Sequence, residues 1–146
     1  MAAPPLVYVL NGPNLNLLGT REPEVYGAET LDDIAERLEE KAEALGLAID
    51  MRQSNHEGHL IDWLHEAQEK RARAVLLNAG GFSHTSVALH DAVKAVNVPV
   101  IEVHLSNPQA RESFRRRSLI ASAAHGTIAG FGALGYELAL DAAARL

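Results

Sequence analysis

Cysteine is missing from all 146 positions, and that absence excludes disulfides, iron–sulfur clusters, cysteine zinc sites and a thiol nucleophile together. Lysine is scarce: Lys41, Lys70 and Lys94 all fall in amphipathic stretches rather than at strand ends, which argues against Schiff-base catalysis. No apolar run approaches the ~20 residues needed to span a bilayer. Basic charge is in deficit, 13 lysines and arginines against 19 aspartates and glutamates. The net charge of −6 weighs against nucleic-acid and anionic-membrane partners, and an anionic substrate would need a local basic pocket. The N-terminal MAAPPLVYVLNG lacks a basic region and is too short in its apolar part for a signal peptide, so the expectation is a cytoplasmic protein. The remaining composition is that of a soluble globular chain, and the length fits a single domain, 1–146.

Several cofactor and metal signatures are also lacking. The loop after the first apolar run has no GxxxxGK[ST], which excludes a P-loop. His56, Glu57 and His59 do not form HExxH, and no third ligand accompanies them, so no metal is expected. Gly130, Gly132 and Gly135 spell GxGxxG in GFGALG, but the dinucleotide fingerprint needs a second strand and an acidic residue about 20 positions later. The sequence after Gly135 supplies neither, and no cofactor is expected.

What the chain has is a regular alternation. Short apolar, often β-branched runs at 6–10, 47–52, 74–78, 98–103 and 127–130 predict strands. Between them, Thr30 and Asp33 form a capping pattern ahead of the stripe Leu31, Ile34, Leu38, Ala42 and Leu45, which ends at Gly46. Further helices are expected at 57–71, 85–96, 109–117 and 133–145. Five βα units predict an α/β protein whose parallel sheet has helices on both faces, in the flavodoxin-like order 2-1-3-4-5.

Such sheets bind ligands beyond the carboxyl ends of their strands. Strand one delivers Asn11 and Asn14 there, strand three Asn78 ahead of Gly80 and Gly81, and strand four Glu102, His104 and Ser106. Asn78 is either a turn-former before glycine or a ligand group. Glu102 closes an apolar strand, where an unpaired carboxylate is costly, and His104 follows on the same face, a spacing that suits a Glu orienting a His for acid–base work. Arg21 precedes Tyr26 by five residues in LNGPNLNLLGTREPEVYG, so a cation stands near a phenol whose ionised form is otherwise scarce at neutral pH. In 78–93, Ser83 or Thr85 is available to cap a helix, His84 lies at the mouth of the cleft and His90 on a surface face. Asp91 is two turns along the same face as His84, either a solvated acid or a contact to a neighbouring subunit. Arg111 and Arg115, at i and i+4, form either a basic lid or part of a solvated face with Arg116 and Arg117.

Taken together, LNGPNLNLLGxREPxVYG, RQSNHEGHLIDWLHEA, NAGGFSHTSVALHDA and IEVHLSNPQAREsFR resemble the type II 3-dehydroquinate dehydratases in order and spacing, nearly end to end. That resemblance implies a cofactor-free anti elimination of water from 3-dehydroquinate through an enolate, serving the shikimate pathway or quinate catabolism. It implies Tyr26 as base, Arg21 as the cation that lowers the phenol's pKa, and His104 as acid oriented by Glu102. Asn14 matches the holder of a water at the enolate oxygen. Asn78, His84, Arg115 and the amides of Leu105 and Ser106 match substrate-binding positions, and Arg111 a residue of the active-site loop region. Asp91 matches an acid that reaches a neighbouring subunit's site, which implies an oligomer, a homododecamer of trimers in this family. Ser113 and Arg117 depart from the family's usual residues. The competing expectation is a non-catalytic flavodoxin-like module for a nucleotide or flavin.

Overall fold

The computed structural model describes residues 2–146 and places β1 (Leu6–Asn11), β2 (Ala48–Gln53), β3 (Ala74–Asn78), β4 (Val100–His104) and β5 (Gly126–Ala129) in one parallel sheet. Its order is β2-β1-β3-β4-β5, as the βα alternation predicts. Helices α2 (Leu31–Leu45) and α5 (Leu134–Ala144) pack on one face, α3 (Glu57–Glu69) and α4 (Val87–Ala95) on the other. A single turn, α1 (Pro23–Tyr26), projects from the loop after β1.

The two-residue period of the strands divides the core. Val7, Val9, Leu76 and Val103 meet Leu38, Tyr136 and Leu140 on the first face, while Tyr8, Leu10, Val75 and Leu77 meet Leu60, Leu64 and Leu89 on the second. Each large aliphatic side chain taken fully from water contributes roughly 1.5–3 kcal/mol. The buried Tyr8 keeps its hydroxyl satisfied by donating to Glu66 at 2.6 Å, and Arg52 ties Glu66 to Asp50 across the outer strand.

Local signals explain the helix ends. Thr30 and Asp33 complete the capping box with 3.0 and 3.1 Å bonds, and Gly46 takes the left-handed φ of 73° that ends α2. The cap of α4 is Ser86, whose hydroxyl accepts from the Leu89 amide, in place of the expected Ser83 or Thr85. Residues Gly80–His84 instead wind as a 3₁₀ turn, so His84 and Asp91 do not share a helix. His90 is half-buried, its Nδ1 2.6 Å from the Leu119 carbonyl, rather than a free surface group. The expected helix at 109–117 is absent. Two short 3₁₀ turns, Pro108–Ala110 and Ser113–Arg115, stand there, separated by an extended Arg111.

The loops after β1 and β3 touch at Gly12, where an added Cβ would lie 2.4 Å from the Ala79 carbonyl oxygen. The Gly12 amide donates to the Asn78 carbonyl at 2.8 Å. Gly12→Ala is therefore expected to cost about 1–3 kcal/mol through overpacking, read as a lowered urea midpoint. An unchanged midpoint would mean that the two loops can part freely.

Candidate active site

The carboxyl ends of β1, β3 and β4 and the loops that follow enclose a cavity of about 150 Å³ lined by Asn14, Arg21, Tyr26, Asn78, His84, His104, Leu105, Ser106, Arg111 and Arg115, among others. Every expected site residue except Asn11, Glu102 and Asp91 reaches it. Glu102 lies directly beneath His104, and its carboxylate accepts from the His104 Nε2–H at 2.8 Å. Ser118 and, at 3.0 Å, Thr127 also donate to that carboxylate. Burial alone would raise the Glu102 carboxyl, but bonds from His104, Ser118 and Thr127 outweigh it and hold the group below the usual carboxylate range. The anion thereby fixes one imidazole nitrogen and leaves Nδ1 as the atom available to a reactant.

Tyr26 occupies the end of α1, half-buried against the core. Two guanidinium groups approach its ring, Arg21 at 4.8 Å and Arg111 at 5.0 Å from the centroid. The second cation at the ring is a feature the local sequence does not reveal, because Arg111 is 85 positions from Tyr26 along the chain. Arg111 also donates to the Ser106 hydroxyl at 3.3 Å. Arg111 and Arg115 do not share one helical face: Glu112 stands between them, 3.7 Å from one and 3.0 Å from the other. The pair of arginines holds the Glu112 carboxyl below its ordinary range, Arg115 through a direct bond first of all.

Asn14 has a left-handed φ of 68°, a conformation that asparagine tolerates. Its amide donates to Asn55 Oδ1 at 3.0 Å, and Gln53 donates both to that same oxygen and to the Gly12 carbonyl. His84 is steered by its Nδ1, 2.9 Å from the Arg117 carbonyl. Leu105 and Ser106 follow β4 and are clamped from behind, since the Gly132 amide donates to the Leu105 carbonyl at 2.9 Å. Gly130 and Gly132 take φ of 94° and 60°, so the GFGALG glycines shape a clamp. Asp91 is exposed on α4, away from the cavity, beside His90 and Arg117 in a separate surface depression. No lysine lines the cavity.

Fold and cleft define an α/β protein of flavodoxin-like topology with a phenol, an imidazole–carboxylate pair and several arginines converging at the ends of its strands. The chain belongs to the class II dehydroquinase family, whose sequence profile matches residues 5–144. It is 61% identical over 140 residues to a 3-dehydroquinate dehydratase of Phenylobacterium zucineum (strain HLK1), covering 96% of each chain. With the Caulobacter vibrioides 3-dehydroquinate dehydratase the identity is 58% over 137 residues, 94% of this chain and 93% of the relative. The crystal structure of the type II dehydroquinase from Propionibacterium acnes superposes with a TM-score of 0.94 at 44% identity, over 100% of this chain and 99% of that one. The type II dehydroquinase from Butyrivibrio crossotus DSM 2876 gives 0.95 at 36% identity, covering 97% and 99%.

Proposed function

We propose that this protein is a cytoplasmic 3-dehydroquinate dehydratase, a single catalytic domain that removes water from 3-dehydroquinate by anti elimination to give 3-dehydroshikimate. The observation that carries the reading is one cleft holding Tyr26 with two guanidinium groups at its ring together with His104 backed by the Glu102 carboxylate.

In this mechanism the Tyr26 phenolate takes the proton beside the ketone, and the electron pair moves onto the ketone oxygen as an enolate. Arg21 and Arg111 bring positive charge to within about 5 Å of the ring centroid, a separation where the cation–π attraction is substantial. Asn14 holds a water against the enolate oxygen, an oxyanion-hole arrangement. As the enolate collapses, the carbon–oxygen bond to the departing hydroxyl breaks and His104 supplies the proton that releases it as water. Glu102 balances the imidazolium from behind. Asn78, His84, Arg115 and the amides of Leu105 and Ser106 bind the substrate's hydroxyls and carboxylate, which gives the acidic chain its local basic pocket. Asp91 reaches the cleft of a second subunit in a dodecamer of trimers, consistent with its exposed place outside its own cavity. The flavin or nucleotide module is not favoured, since the family is named class II dehydroquinase and the relatives 3-dehydroquinate dehydratase.

The test is to add 3-dehydroquinate to the purified protein and follow the ultraviolet absorbance of the conjugated enone, while sedimentation reports the mass. Enone formation that survives borohydride treatment in the presence of substrate is expected. A folded oligomer without turnover would remove the dehydratase reading, and full turnover by a monomer would remove Asp91 from the site.

A further inference from the structure

Beneath the cavity floor lies a buried polar chain that the elimination chemistry does not use. Asn11 and Asn78 end the adjacent strands β1 and β3 as register partners, and the phenol of Tyr136, from the distant α5, lies between their amides. All three side chains are buried, Asn11 and Tyr136 completely. Asn11 Nδ2 donates to the Arg52 carbonyl at 3.0 Å, and Asn11 Oδ1 accepts the Tyr136 hydroxyl proton at 2.6 Å. The Tyr136 oxygen accepts from Asn78 Nδ2 at 2.9 Å, and Asn78 Oδ1 accepts from the Gly80 amide at 3.2 Å.

The polarity of this chain is forced from both ends. A backbone carbonyl terminates it on β2 and a backbone N–H at Gly80, so rotating either amide by half a turn sets like groups against each other. Burial keeps the Tyr136 phenol protonated and therefore a donor toward Asn11, pushing its ionisation well above the ordinary range. Gly80 is fixed in turn, with a φ of 58° and an added Cβ only 3.1 Å from the Pro13 carbonyl oxygen. One Nδ2 proton of Asn78 is left over. Because Asn78 lines the cavity, the amide offers that proton, a donor, to whatever binds.

We propose that Tyr136 is a positioning residue for substrate recognition, its hydroxyl setting which atom of the Asn78 amide is free for an oxygen of the bound hydroxylated acid. The inference rests on the dehydratase reading for its kinetic consequence. Tyr136→Phe removes the hydroxyl, leaves the ring's apolar contacts in place and leaves the Asn78 amide held by the Gly80 N–H alone. KM is expected to rise about tenfold, the worth of one well-placed hydrogen bond, with kcat changed by less than about twofold. On an Asn78→Ala background the same substitution is expected to leave KM unmoved, because the group through which it acts is gone.

An equal KM factor on both backgrounds would mark Tyr136 as a general structural residue, and an unchanged KM in folded Tyr136→Phe would remove the role altogether. Should that variant not fold, Asn11→Ala breaks the chain one link earlier and carries the same pair of expectations. A readout independent of turnover is the side-chain amide resonance pair of Asn78 in a ¹⁵N-labelled sample. It is expected to shift in Tyr136→Phe, and a fixed pair overturns the proposal even where no dehydratase activity exists to measure. Absent turnover in the parent with a shifted amide pair would sink the dehydratase reading and leave the orienting role standing.

Discussion

Tyr26→Phe is expected to lower kcat by at least ~10³-fold while the unfolding midpoint stays where it is. The phenol oxygen is the atom at stake, and no hydrogen bond of the fold depends on it; the ring keeps its half-buried contacts and both flanking guanidinium groups. KM is expected to change little, since binding rests on the strand ends and on Arg115. The comparison that decides is steady-state kinetics beside a urea titration of the same two proteins. Retained turnover in the phenylalanine variant would pass the base's role to another group in the cleft.

Glu102→Gln should produce the second-largest effect, a fall in kcat on the order of 10²-fold, accompanied by a change in how stability depends on pH. The carboxylate accepts from His104, Ser118 and Thr127 at once, so a Gln Nε2 costs it at least one of those accepted bonds or obliges the Thr127 hydroxyl to turn and accept. His104 also loses the negative charge that balances it when it carries a proton. The folded protein holds the Glu102 carboxyl below its ordinary range. Its contribution to stability is then complete above the unfolded-state value near ~4.3 and is lost as pH falls through the lower folded value. Urea midpoints measured from about pH 6 down to about pH 3 should therefore drop for the parent and drop less for Glu102→Gln. Parallel curves would mean that this carboxylate is not what acid removes.

Short-range pattern explains which of these features the sequence displays. Glu102 and His104 pair because two residues is the repeat of a strand, and Arg21 reaches Tyr26 because one turn of helix separates them. The sheet order follows from five βα units, with strand ends displaced by only one or two positions. The failures have both local and long-range causes. Segment 109–117 has only Ala110 and Phe114 as apolar residues and so no apolar stripe, no helix forms, and Arg111 is placed by Tyr26 and Ser106 instead. Tyr136 reaches partners 58 and 125 positions away, and Ser118 and Thr127 converge on Glu102 from separate segments. No window of sequence contains such a triad.

The two halves of the cleft are mounted differently. His104, Asn78 and the turn after β4 grow from buried strands, whereas Tyr26 and Arg21 ride a segment bounded by left-handed Gly19 and Gly27 whose one turn of helix buries no side chain. For inhibitor chemistry this means that affinity per atom is uneven across the site. Fragments that engage the sheet edge meet groups already in place and gain nearly the whole worth of each contact. Atoms added toward Tyr26 lean on a loop with few buried contacts, which yields more easily than a strand end, so ligand efficiency should fall as a compound is grown in that direction.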